Sequence, residues 1–249
     1  MEKLLECVLD IGEQMLICGG EVHRVEDSLK RIFSVYDIKR TDVFIITSSM
    51  VVTIISNDEQ IYTQTRRITE VKTDYERLHK LNELSRKICK SKLETEEIKK
   101  ELEEISKIRL YPIWLEFISF SIISGGFTLF FNGTIIEALI SFIIGAILRL
   151  VLLITEKSIK NKIFVKFISA FIATSLAFFS VHISFVNSVD KIIIGNIMTL
   201  IPGTGLTTAL KDLFVGDSIA GLLRTIEACI IALAIAAGYF SVAFLMGGM

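Results

Sequence analysis

Proline is nearly missing from this 249-residue chain, which has two, Pro112 and Pro202. Helices can therefore run long, and each proline marks a place where one starts or stops. Cysteine is scarce too. Cys7, Cys18, Cys89 and Cys229 show no CxxC spacing and no histidine neighbours, so they read as reduced packing residues and not as a metal site or disulfide frame. An excess of charge of either sign is absent: the net charge of −1 leaves no electrostatic footprint for nucleic acid. GxSxG, HExxH, P-loop and GxGxxG patterns are also missing. The opening residues, "MEKLLECVLDIGEQM", carry acids every few positions and read as the start of a folded domain, not as a secretory signal.

What the chain does have is apolar residues, 51% of the total, unevenly spread. Residues 1–112 hold 19 of the 27 Lys and Arg and 21 of the 28 Asp and Glu; residues 113–249 hold the other 8 and 7. Two domains follow: a charged unit over 1–112 and a lipid-soluble one over 113–249. Five stretches approach the roughly 20 apolar residues that cross a bilayer: 113–131, 135–154, 163–186, 192–210 and 219–246. Lys157, Lys160, Lys162 and Lys166 cluster at one break, Lys107 and Arg109 precede the first stretch, and Lys211 and Arg224 flank the fourth break. With five spans these cations alternate in side, predicting a cytoplasmic N-terminus and an outside C-terminus.

The charged half reads as α+β. Apolar spacing predicts a helix over 3–18, and a second helix follows Gly19-Gly20. β-Branched runs predict three antiparallel strands near 41–47, 50–56 and 60–67, and two charged helices close the unit. The fold class is thus an α-helical integral membrane protein with five transmembrane helices, preceded by a small α+β cytoplasmic domain with a three-stranded antiparallel sheet. Candidate functional residues in this half are Glu21, Arg24 and Arg66. "GGEVHR" could place Glu21, His23 and Arg24 near Ser48 and Ser49 as a hydrolase-like set, or could be a helix start with a turn.

The membrane half carries polar residues that lipid disfavours. In hydrocarbon, irregular backbone is tolerated only inside protein or beside a water-filled cavity. Pro202 cannot donate to the carbonyl of Met198, and Gly203 and Gly205 weaken the next turn, so a helix break is predicted there. The N–H groups opening the second half-helix could hold a carboxylate. Asn196, Pro202, Gly203, Thr204, Gly205, Thr207, Thr208, Asp212 and Arg224 are therefore candidates for substrate binding; a Pro-kinked packing helix with back-bonded threonines is the alternative. Arg224 could pair with a substrate carboxylate or with Asp212, or be an anchor neutralised by Glu227. Glu137, Ser141, Gly145 and Arg149 form a stripe at four-residue intervals suited to close packing. Glu116, Arg149, Asp217 and Glu227 are expected to serve structural ion pairs.

"CGGEVHRVEDSL", "TQTRR", "RLYPIWL" and "IPGTGLTTALKDLFVGDSIAGLLR" together resemble the threonine/serine exporter (ThrE) family, over nearly the whole chain. The resemblance implies export of small polar metabolites, either hydroxy amino acids or dicarboxylates such as succinate. It also implies the split version of the family, in which a second, smaller membrane subunit completes the transporter in the cell membrane. An oligomer, a small-molecule substrate and contact with membrane lipid are expected. A non-enzyme without cofactor or metal is the leading reading; a membrane-tethered hydrolase and a regulatory or assembly subunit are the alternatives.

Overall fold

The computed structural model describes residues 1–69, 71–108, 111–159, 161–183 and 188–246, with the side chains of 181–183 left aside. Arg109 and Lys160, which count toward the predicted orientation, lie outside the described residues. The chain divides into two compact units: Met1–Leu110 with Thr204–Thr225, and Tyr111–Gly203 with Ile226–Met249. Residues 204–225, which the sequence places in the membrane half, thus group with the N-terminal residues.

In the first unit, α1 (Glu2–Ile17) and α2 (Val22–Ser34) are joined by a glycine turn. Gly19 takes φ +88°, Gly20 N donates to the carbonyl of Met15, and Gly19 N donates to Leu16. This is the paired-bond motif that closes a helix through a left-handed glycine. A Cβ on Gly20 would lie 2.8 Å from the Met15 carbonyl oxygen, so the turn accepts no side chain there. β1 (Ile38–Ile46), β2 (Ser49–Ser56) and β3 (Ile61–Arg67) form an antiparallel sheet in that order, close to the predicted spans. Alternation along β2 turns Met50, Val52 and Ile54 inward. They join Leu5, Leu9, Met15, Leu29, Ile32 and Phe33 of the helices in one core. α3 (Tyr75–Ser91), started by Asp74 accepting from Arg77 N, and α4 (Thr95–Ser106) complete the predicted pair of charged helices.

The second unit is built on α5 (Ile113–Phe130), α6 (Ile135–Ser158), α7 (Lys162–Ile183), α8 (Val189–Ile197) and the later part of α10 (Ser218–Met246). α5, α6, α7 and α10 are long and apolar enough to cross a membrane. The fourth predicted stretch, 192–210, is not one such helix. It is divided between α8, of 9 residues, and α9 (Gly203–Val215), of 13. At about 1.5 Å per residue neither reaches across a core about 30 Å thick.

Small side chains let these helices approach. A Cβ on Gly145 of α6 would lie 2.7 Å from both the Phe120 carbonyl oxygen and Ser124 Oγ of α5. A Cβ on Gly195 of α8 would fall 2.1 Å from Thr128 Oγ1. Thr128 Oγ1 in turn donates to Ser141 Oγ of α6 at 2.7 Å. The predicted stripe of α6 faces this seam and ends at Arg149, whose Nε donates to Glu116 Oε2 at 2.8 Å. At the other end Thr134 and Glu137 cap α6 reciprocally, and the free Glu137 oxygen accepts from Ser188 N at 3.0 Å. Lys191 donates to the Asn132 carbonyl at 2.8 Å, so α8 starts beside the α5–α6 connection.

This packing predicts opposite outcomes for two glycines. Gly195→Ala should cost about 1–3 kcal/mol through overpacking, whereas Gly203→Ala, with nothing within 4 Å of the added carbon, should be neutral or stabilise by about 0.4–1 kcal/mol. Thermal unfolding of the purified variants in detergent would separate the two.

Candidate functional site

The break between α8 and α9 follows from Pro202. Thr199 N and Leu200 N bond to the carbonyls three residues back, Asn196 and Ile197, so the helix tightens as it ends. Pro202 has no N–H to return to Met198, and Gly203 N turns to the carbonyl of Ile201 at 2.9 Å. α9 then starts at Gly203, with Gly203, Thr204, Gly205, Leu206 and Thr207 exposed. The first turn of any helix has N–H groups without intrahelical acceptors, and those groups carry the positive end of its dipole.

Of the threonines, Thr208 Oγ1 donates back to the Thr204 carbonyl at 3.0 Å, as in the packing alternative. Asn196 sits on the other side of the break in α8, fully buried. Its amide nitrogen bonds the Ile192 carbonyl, and its Oδ1 has no protein partner.

The far end of α9 is held firmly. Asp212 is 1% exposed, and its Oδ2 accepts from Arg224 Nη1 at 3.0 Å. Arg224 Nη2 donates to the Gly20 carbonyl at 3.0 Å. Beside them Lys211 pairs with Glu21 at 3.1 Å. Gly216 at φ +103° turns the chain, and Asp217 N caps α9 through the Asp212 carbonyl. α9 and the start of α10 then pack so closely that a Cβ on Gly221 would lie 2.8 Å from the Ala209 carbonyl oxygen.

Other candidates are placed as follows. Glu116 and Arg149 are brought together, with Glu156 3.8 Å from the same guanidinium. Arg224 is bonded to Asp212; Asp217 and Glu227 enter no ion pair among the described residues, and Asp217 Oδ2 is buried without a hydrogen-bond partner. Arg66 is bound to Asp10 of α1 at 3.1 Å and lies 3.7 Å from Glu13. Arg24 is exposed on α2. Ser49 Oγ donates to the Arg66 carbonyl, and among the described residues no hydrogen bond joins His23 to Ser48 or Ser49. Glu21 and Arg66 therefore serve separate contacts and Arg24 stands exposed, so the three do not converge. What the sequence did not disclose was Gly20 as an acceptor for Arg224. The doubled glycine ending an amphipathic helix was its only signal.

Two ion pairs at this site should differ in cost. Asp212→Ala strands a guanidinium whose side chain is 12% exposed, and loss of one partner of such a pair costs about 3–5 kcal/mol. Lys211 and Glu21 keep 58% and 25% side-chain exposure, so Glu21→Gln should stay within about 1 kcal/mol. Chemical denaturation of the purified chain in detergent would compare them.

Comparison with known proteins adds a profile match. The family described as "Putative threonine/serine exporter" (ThrE) matches residues 6–246. No match was found among curated proteins or among solved structures. The match takes in the glycine turn, the sheet, the membrane-length helices and the α9–α10 hairpin alike, and the chain belongs to the threonine/serine exporter family.

Proposed function

We propose that this chain is one subunit of a secondary transporter that exports threonine, serine or a similarly small hydroxy amino acid across the cytoplasmic membrane. The observation carrying the reading is the break at Pro202, which opens the N-terminal turn of α9 next to three threonines. A zwitterionic amino acid offers a carboxylate to those N–H groups, and its hydroxyl can exchange hydrogen bonds with Thr204 or Thr207. Gly203 and Gly205 admit the ligand to the backbone without a side chain in the way. Discontinuous helices serve transporters in this way near mid-membrane. Arg224 acts on the site through Asp212, since both its terminal nitrogens are already engaged.

In this reading the chain crosses the membrane five times, the fourth crossing being the broken α8–α9 segment. α8 begins beside the α5–α6 connection, and α9 ends among residues of the N-terminal unit. The lysines of "TEKSIKNK" then put the N-terminal domain in the cytoplasm and the C-terminus outside. Five crossings give one repeat where alternating access ordinarily uses two, so a smaller membrane subunit supplies the remainder. The N-terminal domain serves transport without chemistry of its own: Arg66 and Ser49 are spent on holding β3 against α1 and β2.

Cysteine accessibility tests the topology: a cysteine at position 133 should label from outside, and one at position 160 only after permeabilisation. The reverse pattern removes the five-crossing reading. For the site, Pro202→Ala should let the helix run on and bring efflux of labelled threonine and serine to background, with labelled succinate run beside them. Normal efflux at equal membrane abundance, measured with the partner subunit present, would show that the break serves packing alone.

A further inference from the structure

α9 has an uneven distribution of support. Its only buried residues are Ala209 and Asp212, in its second half. Its first turn is exposed. A helix of 13 residues behaves as a short rod, so whatever grips its second half aims its first turn.

That grip comes from the α1–α2 turn of the N-terminal domain. Arg224 bridges Asp212 and the Gly20 carbonyl, both at 3.0 Å. Lys211 reaches Glu21 at 3.1 Å. Two consecutive residues of one turn therefore meet α9 and the first turns of α10. The turn is itself fixed, because the glycine motif ends α1 and Lys72 N and Asp74 N bond the carbonyls of Ile17 and Cys18. Ala220 of α10 is buried in the same core as α1 and α2. A planar guanidinium suits this place. Its fork can hold a carboxylate and a carbonyl at once, which an ammonium on a flexible stem does less well.

We infer that the turn Gly20–Glu21 of the N-terminal domain, acting through Arg224, Asp212 and Lys211, is the positioning element that sets the direction of α9 and hence the placement of its first turn. The inference rests on the reading of that turn as the substrate site only for its functional consequence. The positioning itself is a statement about the fold. It gives the N-terminal domain a role in transport that needs no catalytic residues, that of holding α9 in place.

The test uses the full chain in detergent, with Thr204→Cys as reporter and Cys89 and Cys229 replaced by serine. Cys7 and Cys18 can stay, being buried with thiols pushed up by that burial, Cys18 to about 11. The rate of modification by a bulky maleimide is measured for Arg224→Lys, for Glu21→Lys, and for Glu21→Lys combined with Lys211→Glu. Each single change should alter the rate at least three-fold, and the charge exchange should bring it back. Glu21→Lys alters a surface pair, so it keeps the test open should Arg224→Lys fail to fold. Unchanged rates in all variants, even with lowered unfolding temperatures, would mean the contacts are structural only and would overturn the inference. Binding of labelled threonine is measured in parallel on chains with native Thr204. Altered labelling with unaltered threonine affinity would support the positioning role and remove α9 as the substrate site, so the two readings fail separately.

Discussion

The guanidinium of Arg224 is the link on which the placement of the α9–α10 hairpin depends. One nitrogen holds the buried carboxylate of Asp212 and another holds the carbonyl of Gly20, so a helical hairpin far along the chain is tied to the first turn of the N-terminal domain. Remove that group and Asp212 is a buried carboxylate without its ion-pair partner. The pair persists because the fork satisfies two acceptors at once.

The second unit solves a different problem with different means. Its helices present apolar surface where they face outward, so close approach has to come from small residues and internal hydroxyls. Gly145, Gly195, Ser124, Thr128 and Ser141 meet along α5, α6 and α8, where no added methyl would fit at the glycines. Glu137 and Arg149 stand near the two ends of the same α6 stripe. The carboxylate caps α6 and holds the start of α8, and the guanidinium pairs with Glu116. Charges in this unit are thus used at helix ends and as pairs, where their polar groups have partners.

Between these arrangements lies the break at Pro202. Helix α8 is fastened at its start and along its Gly195 face, and α9 is fastened in its second half. The five residues from Met198 to Pro202 are left to join them without regular helix. A backbone irregularity here sets the first turn of α9 at the break, with Thr204, Thr207 and Thr208 in it and just after it.

Much of this was legible in the residues. Period-two runs of β-branched side chains located the three strands to within a few residues, because only a half-buried sheet gives that alternation. Apolar length located four membrane-length helices, and Pro202 with two glycines located the break, since a missing N–H is a covalent fact. The pairing of Arg149 with Glu116 could be anticipated from antiparallel neighbours and depth alone. The fate of 192–210 was less accessible: a hydropathy count sums over the stretch and does not register that Pro202 divides it into two short helices. Nor could the sequence choose among Asp212, Glu227 and a substrate as the partner of Arg224. That choice depended on the turn at Gly216, which folds α9 against α10, and on a carbonyl about two hundred positions away. Backbone acceptors have no side-chain signature, so the bond to Gly20 existed only once the tertiary fold had brought the doubled glycine to the hairpin.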